Sequence, residues 1–260
     1  MQKDNFDLEA TFECGQCFRW KKQEDGSYTG TAFGKVLNIS DENKNDAVKN
    51  ELWGRYFDIA LDYDKIRNDL SKEDEVLAEA AKFAPGMRIL NQEPWEALCS
   101  FIISQNNNIK RIGGIVERLC QMFGENIEKE YFTFPTAEKL AKLKVEDLAD
   151  IRSGFRAKYI IDAAQKVAQG KVQFENLKKM PLAEARENLM IIKGVGPKVA
   201  DCALLYGLHR LDAFPMDVWM KRAMATLFPG KKPESFGRYA GIAQQYIFHY
   251  SRNNPQLFTK

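Results

Sequence analysis

Residues Leu189–Met220 read LMIIKGVGPKVADCALLYGLHRLDAFPMDVWM, and this stretch decides the fold. Gly194-Val195-Gly196 forms a glycine-bracketed turn. Pro197 follows it, and proline suits the first helical position, where its missing N–H costs nothing, so a helix is expected to open there. The two glycines let the backbone turn sharply and come close to another backbone. Upstream, Leu182, Ala185, Leu189 and Met190 recur at helical spacing, which predicts a helix over residues 181–191 that packs against the one after Pro197. The result is a helical hairpin over residues 181–206. Free N–H groups at the start of its second helix, with the positive dipole end behind them, suit a phosphate. Lys198 lies in the first turn of that helix, and Asp217 follows after a hydrophobic connection. Taken alone, Lys198 reads as a solvated helix lysine and Asp217 as a cap for a helix beginning Val218-Trp219.

Around the hairpin the chain changes texture near residue 85. After Pro85 the pattern is helical. Trp95, Leu98, Cys99, Ile102 and Ile103 form one apolar stripe, and Ile112, Ile115, Leu119, Met122 and Phe123 form another. Thr136 is the expected N-cap of a helix over Ala137–Leu143, and Gly170 the stop of a helix that starts at Ala157. Before Pro85, segments such as Ser27–Ser40 are rich in β-branched and aromatic residues and broken by glycine. Asp25-Gly26 marks a turn between strands over Phe18–Lys22 and Ser27–Thr31. The expected fold class is therefore α+β. An antiparallel sheet domain over residues 1–85, with helices at Glu51–Phe57 and Asp64–Ala80, precedes a helical region over residues 86–260.

The chain has 260 residues, 45% apolar and 28% charged, which is ordinary for a folded protein with real cores. A net charge of +2 neither demands nucleic acid nor excludes a local basic surface. Residues Met1–Ala10 are polar and acidic, unlike a signal peptide, and no apolar run is long enough to span a membrane. The five cysteines, Cys14, Cys17, Cys99, Cys120 and Cys202, are an odd set without a secretory signal, so reduced thiols in a cytoplasmic protein are expected. Cys14-Gly-Gln-Cys17 has zinc-like spacing, but no second Cys/His pair completes it, and His209 and His249 lie far away in sequence. No cysteine follows Cys202, which excludes a four-cysteine iron–sulfur cluster there. No metal site and no cofactor are expected.

Five stretches carry a resemblance. They are CGQCFRW (Cys14–Trp20), FIISQNNNIKRI (Phe101–Ile112), SGFRAKY (Ser153–Tyr159), KVADCALLYGLHRLDAFPMD (Lys198–Asp217) and GRYAGIAQQYIF (Gly237–Phe248). In this order they resemble the 8-oxoguanine DNA glycosylase/lyase family, within the helix-hairpin-helix glycosylases that carry a Gly/Pro…Asp signature. The resemblance spans essentially the whole chain. It implies a helical glycosylase fold with the active-site cleft between its two helical halves, a duplex DNA substrate containing 8-oxoguanine, a monomer, and a bacterial or archaeal form.

The resemblance also implies roles. Lys198 would attack C1′ of the damaged nucleotide, expel the base and form a Schiff base; an amine attacks only when neutral. Asp217 would stabilise the developing oxocarbenium charge. The target base must leave the duplex. Phe248 and Cys202 would hold its two faces, with Pro215 and Met216 lining the slot. Gln244 would read the Watson–Crick edge. The Gly15 carbonyl would accept from N7–H, a donor that guanine lacks, and a mismatched polar contact of this kind rejects strongly. Asn106 would fill the hole left in the duplex, Arg111 and Arg156 would hold the orphaned cytosine, and Phe155 would wedge beside it. Gly194 and Gly196 would meet the DNA backbone, and Trp219 would lie near a phosphate. Asn107 and Asn108 read as turn formers.

Animal enzymes of the family usually have tyrosine at 155, histidine at 219 and proline at 193, where this chain has Phe155, Trp219 and Lys193. Phe155 keeps the stacking face. Trp219 cannot take over an imidazole's contact without rearrangement. Lys193 adds a charge that could reach a phosphate. Two alternatives differ in class. One is a related glycosylase for other damaged bases, against which Gln244, Phe248 and Gly15 speak. The other is a DNA-binding hairpin protein without chemistry, against which the Lys198–Asp217 pair speaks.

Overall fold

The computed structural model describes residues 6–258, so the outermost ends of both expected regions lie outside the described residues. Near the N-terminus, helix α1 (Leu8–Glu13) leads into a three-stranded antiparallel sheet in the order β1 (Trp20–Lys22), β2 (Tyr28–Ala32), β3 (Lys35–Ile39). The Asp25-Gly26 turn closes the first hairpin, with Lys22 opposite Tyr28. Gly26 takes the positive φ the turn requires, 84°, and the Asp25 carboxylate accepts from the Ser27 N–H and hydroxyl. The second hairpin turns on Phe33 and Gly34, both at positive φ, the geometry that matches strand twist. Short helices α2 (Lys44–Ala47) and α3 (Glu51–Tyr56) complete this end. One face of the sheet closes over a separate core of Phe12, Tyr28, Ile39, Trp53, Tyr56 and Phe57.

The helix expected over Asp64–Ala80 is two helices, α4 (Tyr63–Glu73) and α5 (Glu75–Phe83). Asp74 breaks them apart with an extended backbone, and its carboxylate caps α5 by accepting from the Val76 and Leu77 N–H groups. A short acidic side chain that competes for backbone donors favours a cap over a helix interior. Lys231 holds the same carboxylate at 2.7 Å. Both helices join the large core, and α5 packs on the C-terminal helix α14 (Ala240–Asn253).

The stripes at 95–103 and 112–123 form α6 (Pro94–Ser104) and α7 (Ile109–Phe123), although Met122 faces solvent at the end of its helix instead of joining the stripe. A small hairpin of β4 (Asn126–Glu128) and β5 (Tyr131–Phe132) follows. Thr136 caps α8, which covers only Ala137–Leu140. Helix α9 (Ala157–Ala168) stops before Gly170, whose φ of 69° marks the stop. Then come α10 (Phe174–Lys179), α11 (Leu182–Met190), α12 (Pro197–Cys202), a π-turn over Ala203–Gly207, α13 (Val218–Leu227) and α14.

The first turn of α14 lies tight against the segment that leads to Asp217. The Gly241 N–H donates to the Leu211 carbonyl at 2.8 Å. A Cβ on Gly241 would overlap the Leu205 side chain and sit 2.8 Å from the Ala213 carbonyl oxygen. Gly241→Ala is therefore expected to destabilise the protein by about 1–3 kcal/mol, because backbone, not only a flexible side chain, stands in the way. A lowered urea midpoint at unchanged slope would register this.

Candidate active site

The hairpin forms as α11, a turn over 191–196, and α12. Gly194 has φ 77°. The space its Cβ would fill is taken by the ring of Tyr159 on α9, so the close approach expected of this glycine is to an aromatic ring and not to backbone. Gly196 is the extended N-cap of α12, and a Cβ there would meet nothing. A second tie to α9 runs from the Lys193 N–H to the Asp162 carboxylate, 2.7 Å.

The two hairpin helices are stapled by Arg186 Nε and Asp201 Oδ1 at 2.8 Å. Burial pushes the Asp201 carboxyl up to about 6 against the pull of the Arg186 guanidinium. Unfolded, the group would titrate at about 3.9. The folded state thus binds the proton more tightly, and this group's contribution to stability is greatest below pH 4 and lost as pH rises through 6. Asp201→Asn has no such slope. Its stability relative to the native protein is expected to improve between pH 4 and pH 7 in urea titrations.

Lys198 is half-buried in the first turn of α12. Its Nζ lies 5.1 Å from the Phe101 ring centroid and donates to Ser104 Oγ at 3.5 Å. One turn on along the same helix, the Cys202 thiol is buried. Burial pushes that thiol up to about 11, with the Lys198 ammonium pulling the other way. Asp217 caps α13, and its Oδ1 accepts from the Met220 N–H at 2.7 Å. No hydrogen bond from a described residue reaches Oδ2. The charges of Lys198 and Asp217 act on the Cys202 thiol in opposite directions, the ammonium lowering and the carboxylate raising its pKa. Lys198 and Asp217 make no direct ion pair.

Gly15, at φ 87°, lies beside Phe248, Arg252 and Ile109. Its loop is fixed by Gln16, which is fully buried: the side-chain amide donates to the Thr11 and Arg88 carbonyls and accepts from the Leu90 N–H. The Cys14 carbonyl accepts from Gln245 Nε2 at 3.2 Å. Gln245 in turn accepts from the Tyr206 hydroxyl, and Tyr206 stacks on Phe101 with centroids 5.1 Å apart. A continuous set of contacts therefore joins Lys198 to the Gly15 loop through Phe101, Tyr206 and Gln245. None of Gln16, Phe101, Tyr206 and Gln245 was among the site residues expected from the sequence. Gln245 had a local signal, since paired amides in an otherwise apolar helix face must find partners.

Gln244 is 3% exposed, and its buried Oε1 makes no hydrogen bond to any described residue. One turn later Phe248 is half-buried, with its ring near Gly15. Pro215 is buried and Met216 half-buried just before Asp217.

On the outer face, Asn106 is exposed at φ 47° between α6 and α7. Asn108 caps α7 through the Arg111 N–H, and Asn107 donates to the Ile103 carbonyl, as turn formers do. Arg111 points to solvent. Arg156 does not: it is 3% exposed and donates to the carbonyls of Gln105, Asn106 and Ser153. In this state it shapes the Asn106 loop. Phe155 is 50% exposed, stands 4.4 Å from the Arg156 guanidinium and meets Tyr159 edge-on. Trp219 turns inward; its Nε1 donates to Ser251 Oγ at 3.0 Å and its ring abuts Phe258. Val218, between Asp217 and Trp219, is 85% exposed. Among the described residues no cluster of metal-ligating side chains occurs, and all five thiols are free and buried.

With Lys198 at the start of the hairpin's second helix and Asp217 capping the next long helix, the chain matches base-excision DNA repair proteins. The family model of the HhH-GPD superfamily of base excision DNA repair proteins matches residues 99–236, and that of the N-terminal domain of 8-oxoguanine DNA glycosylase matches residues 1–98. The chain belongs to the 8-oxoguanine DNA glycosylase/lyase family within that superfamily. It is 35% identical to a Saccharomyces cerevisiae N-glycosylase/DNA lyase over 85% of this chain and 68% of that one. It is 31% identical to a probable N-glycosylase/DNA lyase of Methanothermobacter thermautotrophicus over 97% and 96%. Among solved structures, the Clostridium acetobutylicum 8-oxoguanine glycosylase/lyase, bound to duplex DNA with cytosine opposite 8-oxoguanine, superposes with a TM-score of 0.86 at 38% identity, covering 97% of this chain and 93% of that one.

Proposed function

We propose that this protein extrudes 8-oxoguanine from duplex DNA, excises it and nicks the strand. The observation that carries the reading is the half-buried Lys198 at the start of α12, held at Phe101 and Ser104, with Asp217 capping the next long helix and the buried Gln244 Oε1 left without a partner among the described residues. Lys198 Nζ attacks C1′ as the N-glycosidic bond breaks, and the base departs with the bonding electrons. The resulting imine makes the C2′ proton acidic, and its removal expels the 3′ phosphate by β-elimination. Asp217, with one oxygen tied to the cap, offers Oδ2 to the positive charge that develops at the sugar. Ser104 orients the amine.

The base lies between Phe248 and Cys202, with Pro215 and Met216 beside it. Gln244 Oε1 accepts from its N1–H and amino group, and the Gly15 carbonyl accepts from N7–H. Gly194, Gly196 and the start of α12 approach the backbone phosphates, and Lys193 adds charge there. Trp219, held by Ser251, contributes bulk and not an imidazole contact. Asn106, Phe155, Arg111 and Arg156 occupy the opposite strand. Residues 1–85, the sheet domain, bring Gly15 to the base, and residues 86–260, the helical region, bring the other groups of the site. No cofactor is needed, and the protein works as a cytoplasmic, nucleoid-associated monomer; five buried reduced thiols suit that compartment. Among the described residues no helix is long and apolar enough to cross a membrane.

The test is incision of duplexes carrying 8-oxoguanine opposite each of the four bases, with alkylated and oxidised pyrimidine lesions as competitors. Fastest cutting opposite cytosine, unaffected by the competitors, supports the reading. Preference for a competing lesion removes it.

A further inference from the structure

One turn beyond Phe248 on α14, Arg252 lays its guanidinium 5.5 Å from the Phe248 ring centroid. Its Nη1 lies 3.9 Å from the point a Cβ on Gly15 would occupy, and Phe248 Cε1 is equally near. Gly15, Phe248 and Arg252 thus converge at one rim of the slot. Arg252 is exposed, and among the described residues its guanidinium bonds to no carboxylate or carbonyl. A long cationic side chain held over an aromatic face beside a glycine, with all its donors unspent, is placed to serve something that enters the slot.

We propose that Arg252 is a specificity-determining residue that donates a hydrogen bond to the exocyclic oxygen at C8 of the extruded base. This rests on the slot reading given above. The hydrogen-bond ledger of the base leads to it. Gln244 serves the Watson–Crick edge, and the Gly15 carbonyl takes N7–H. The C8 carbonyl is adjacent to N7 on the same edge, and neither group can donate to it. A buried carbonyl without a donor costs about 1–3 kcal/mol, which would weaken binding of the very lesion the slot selects. Arg252 is the donor that the structure brings to the Gly15 side, and a charge-assisted bond is the stronger kind. Guanine has C8–H in that place and would oppose it to the guanidinium. Arg252 would therefore add a second test for the lesion beside N7–H.

The experiment uses Arg252→Lys and Arg252→Met in the full chain. Single-turnover release of 8-oxoguanine opposite cytosine is compared with cleavage of the same duplex carrying a preformed abasic site, which has no base to fill the slot. Arg252→Met keeps an apolar stem over Phe248 and should slow base release about tenfold, the loss of one charge-assisted bond. Arg252→Lys should recover most of that rate, and abasic-site cleavage should stay at the wild-type rate in both. Wild-type base release by Arg252→Met overturns the proposal. An equal fall in abasic-site cleavage also overturns it, because Arg252 would then be a general phosphate contact. If the wild-type protein cleaves abasic sites but releases no 8-oxoguanine, the slot reading itself falls.

Discussion

Lys198→Gln is expected to yield no covalent protein–DNA band when borohydride is added to a duplex with one 8-oxoguanine:cytosine pair, while the wild type yields one. Glutamine is one atom shorter, but it keeps the first methylenes and a polar end beside Phe101 and Ser104, so the fold around the position is preserved. What it removes is the amine proposed to form the imine. Base release should fall by roughly a thousandfold or more, the usual scale for loss of a nucleophile. DNA affinity should change little, since the hairpin contacts proposed above, the N–H groups at the start of α12 and the Lys193 charge, are untouched. The outcome that sinks the assignment is base release at the wild-type rate without a trapped adduct, for water would then be the nucleophile.

Asp217→Asn should slow the chemical step by roughly a hundred- to a thousandfold, the scale of removing one preorganised electrostatic contact. The substitution is informative because the proposed role gives Asp217 a second job beside the one observed. Its Oδ1 caps α13 through the Met220 N–H. Asparagine caps a helix about as well as aspartate, so thermal stability and DNA affinity should stay near wild type. Asp217→Ala loses both jobs and should in addition cost about 1 kcal/mol of stability. If Asp217→Asn loses affinity and rate in equal measure, the residue acts only by holding α13 in place.

Local signals in the chain reported local structure faithfully. Asp25-Gly26 closes a hairpin, Pro197 opens α12, Thr136 caps α8 and Gly170 ends α9, because each depends on the conformational preferences of a few adjacent residues. The reading failed where a side chain chose between local options. Asp74 sits in a run that propensity joins into one helix, yet its carboxylate finds two N–H groups of the following turn and a lysine 157 residues away. Long-range polar contacts were illegible for the same reason. Gln16 satisfies backbone groups around residue 89, and Gln245 reaches Cys14 across nearly the whole chain. Nothing beside either glutamine in sequence announces those partners. Asp217 shows the converse: cap and candidate catalytic group were weighed as rivals, and the helix-start geometry makes them compatible.

The lone amide oxygen of Gln244 has a consequence for the protein as a material. A buried acceptor left without a partner penalises the native state by about 1–3 kcal/mol, a sizeable part of the margin by which a domain stays folded. Gln245, its neighbour, carries no such penalty, because Tyr206 and Cys14 complete it. Gln244 Oε1 is thus one of the buried polar atoms that the described residues leave unserved, and on the reading proposed above a purine edge is the piece that serves it. An isosteric apolar residue at 244 would give a tougher protein with a blinder pocket. Heat tolerance and discernment are in this sense competing uses of the same few atoms, and the sequence favours discernment.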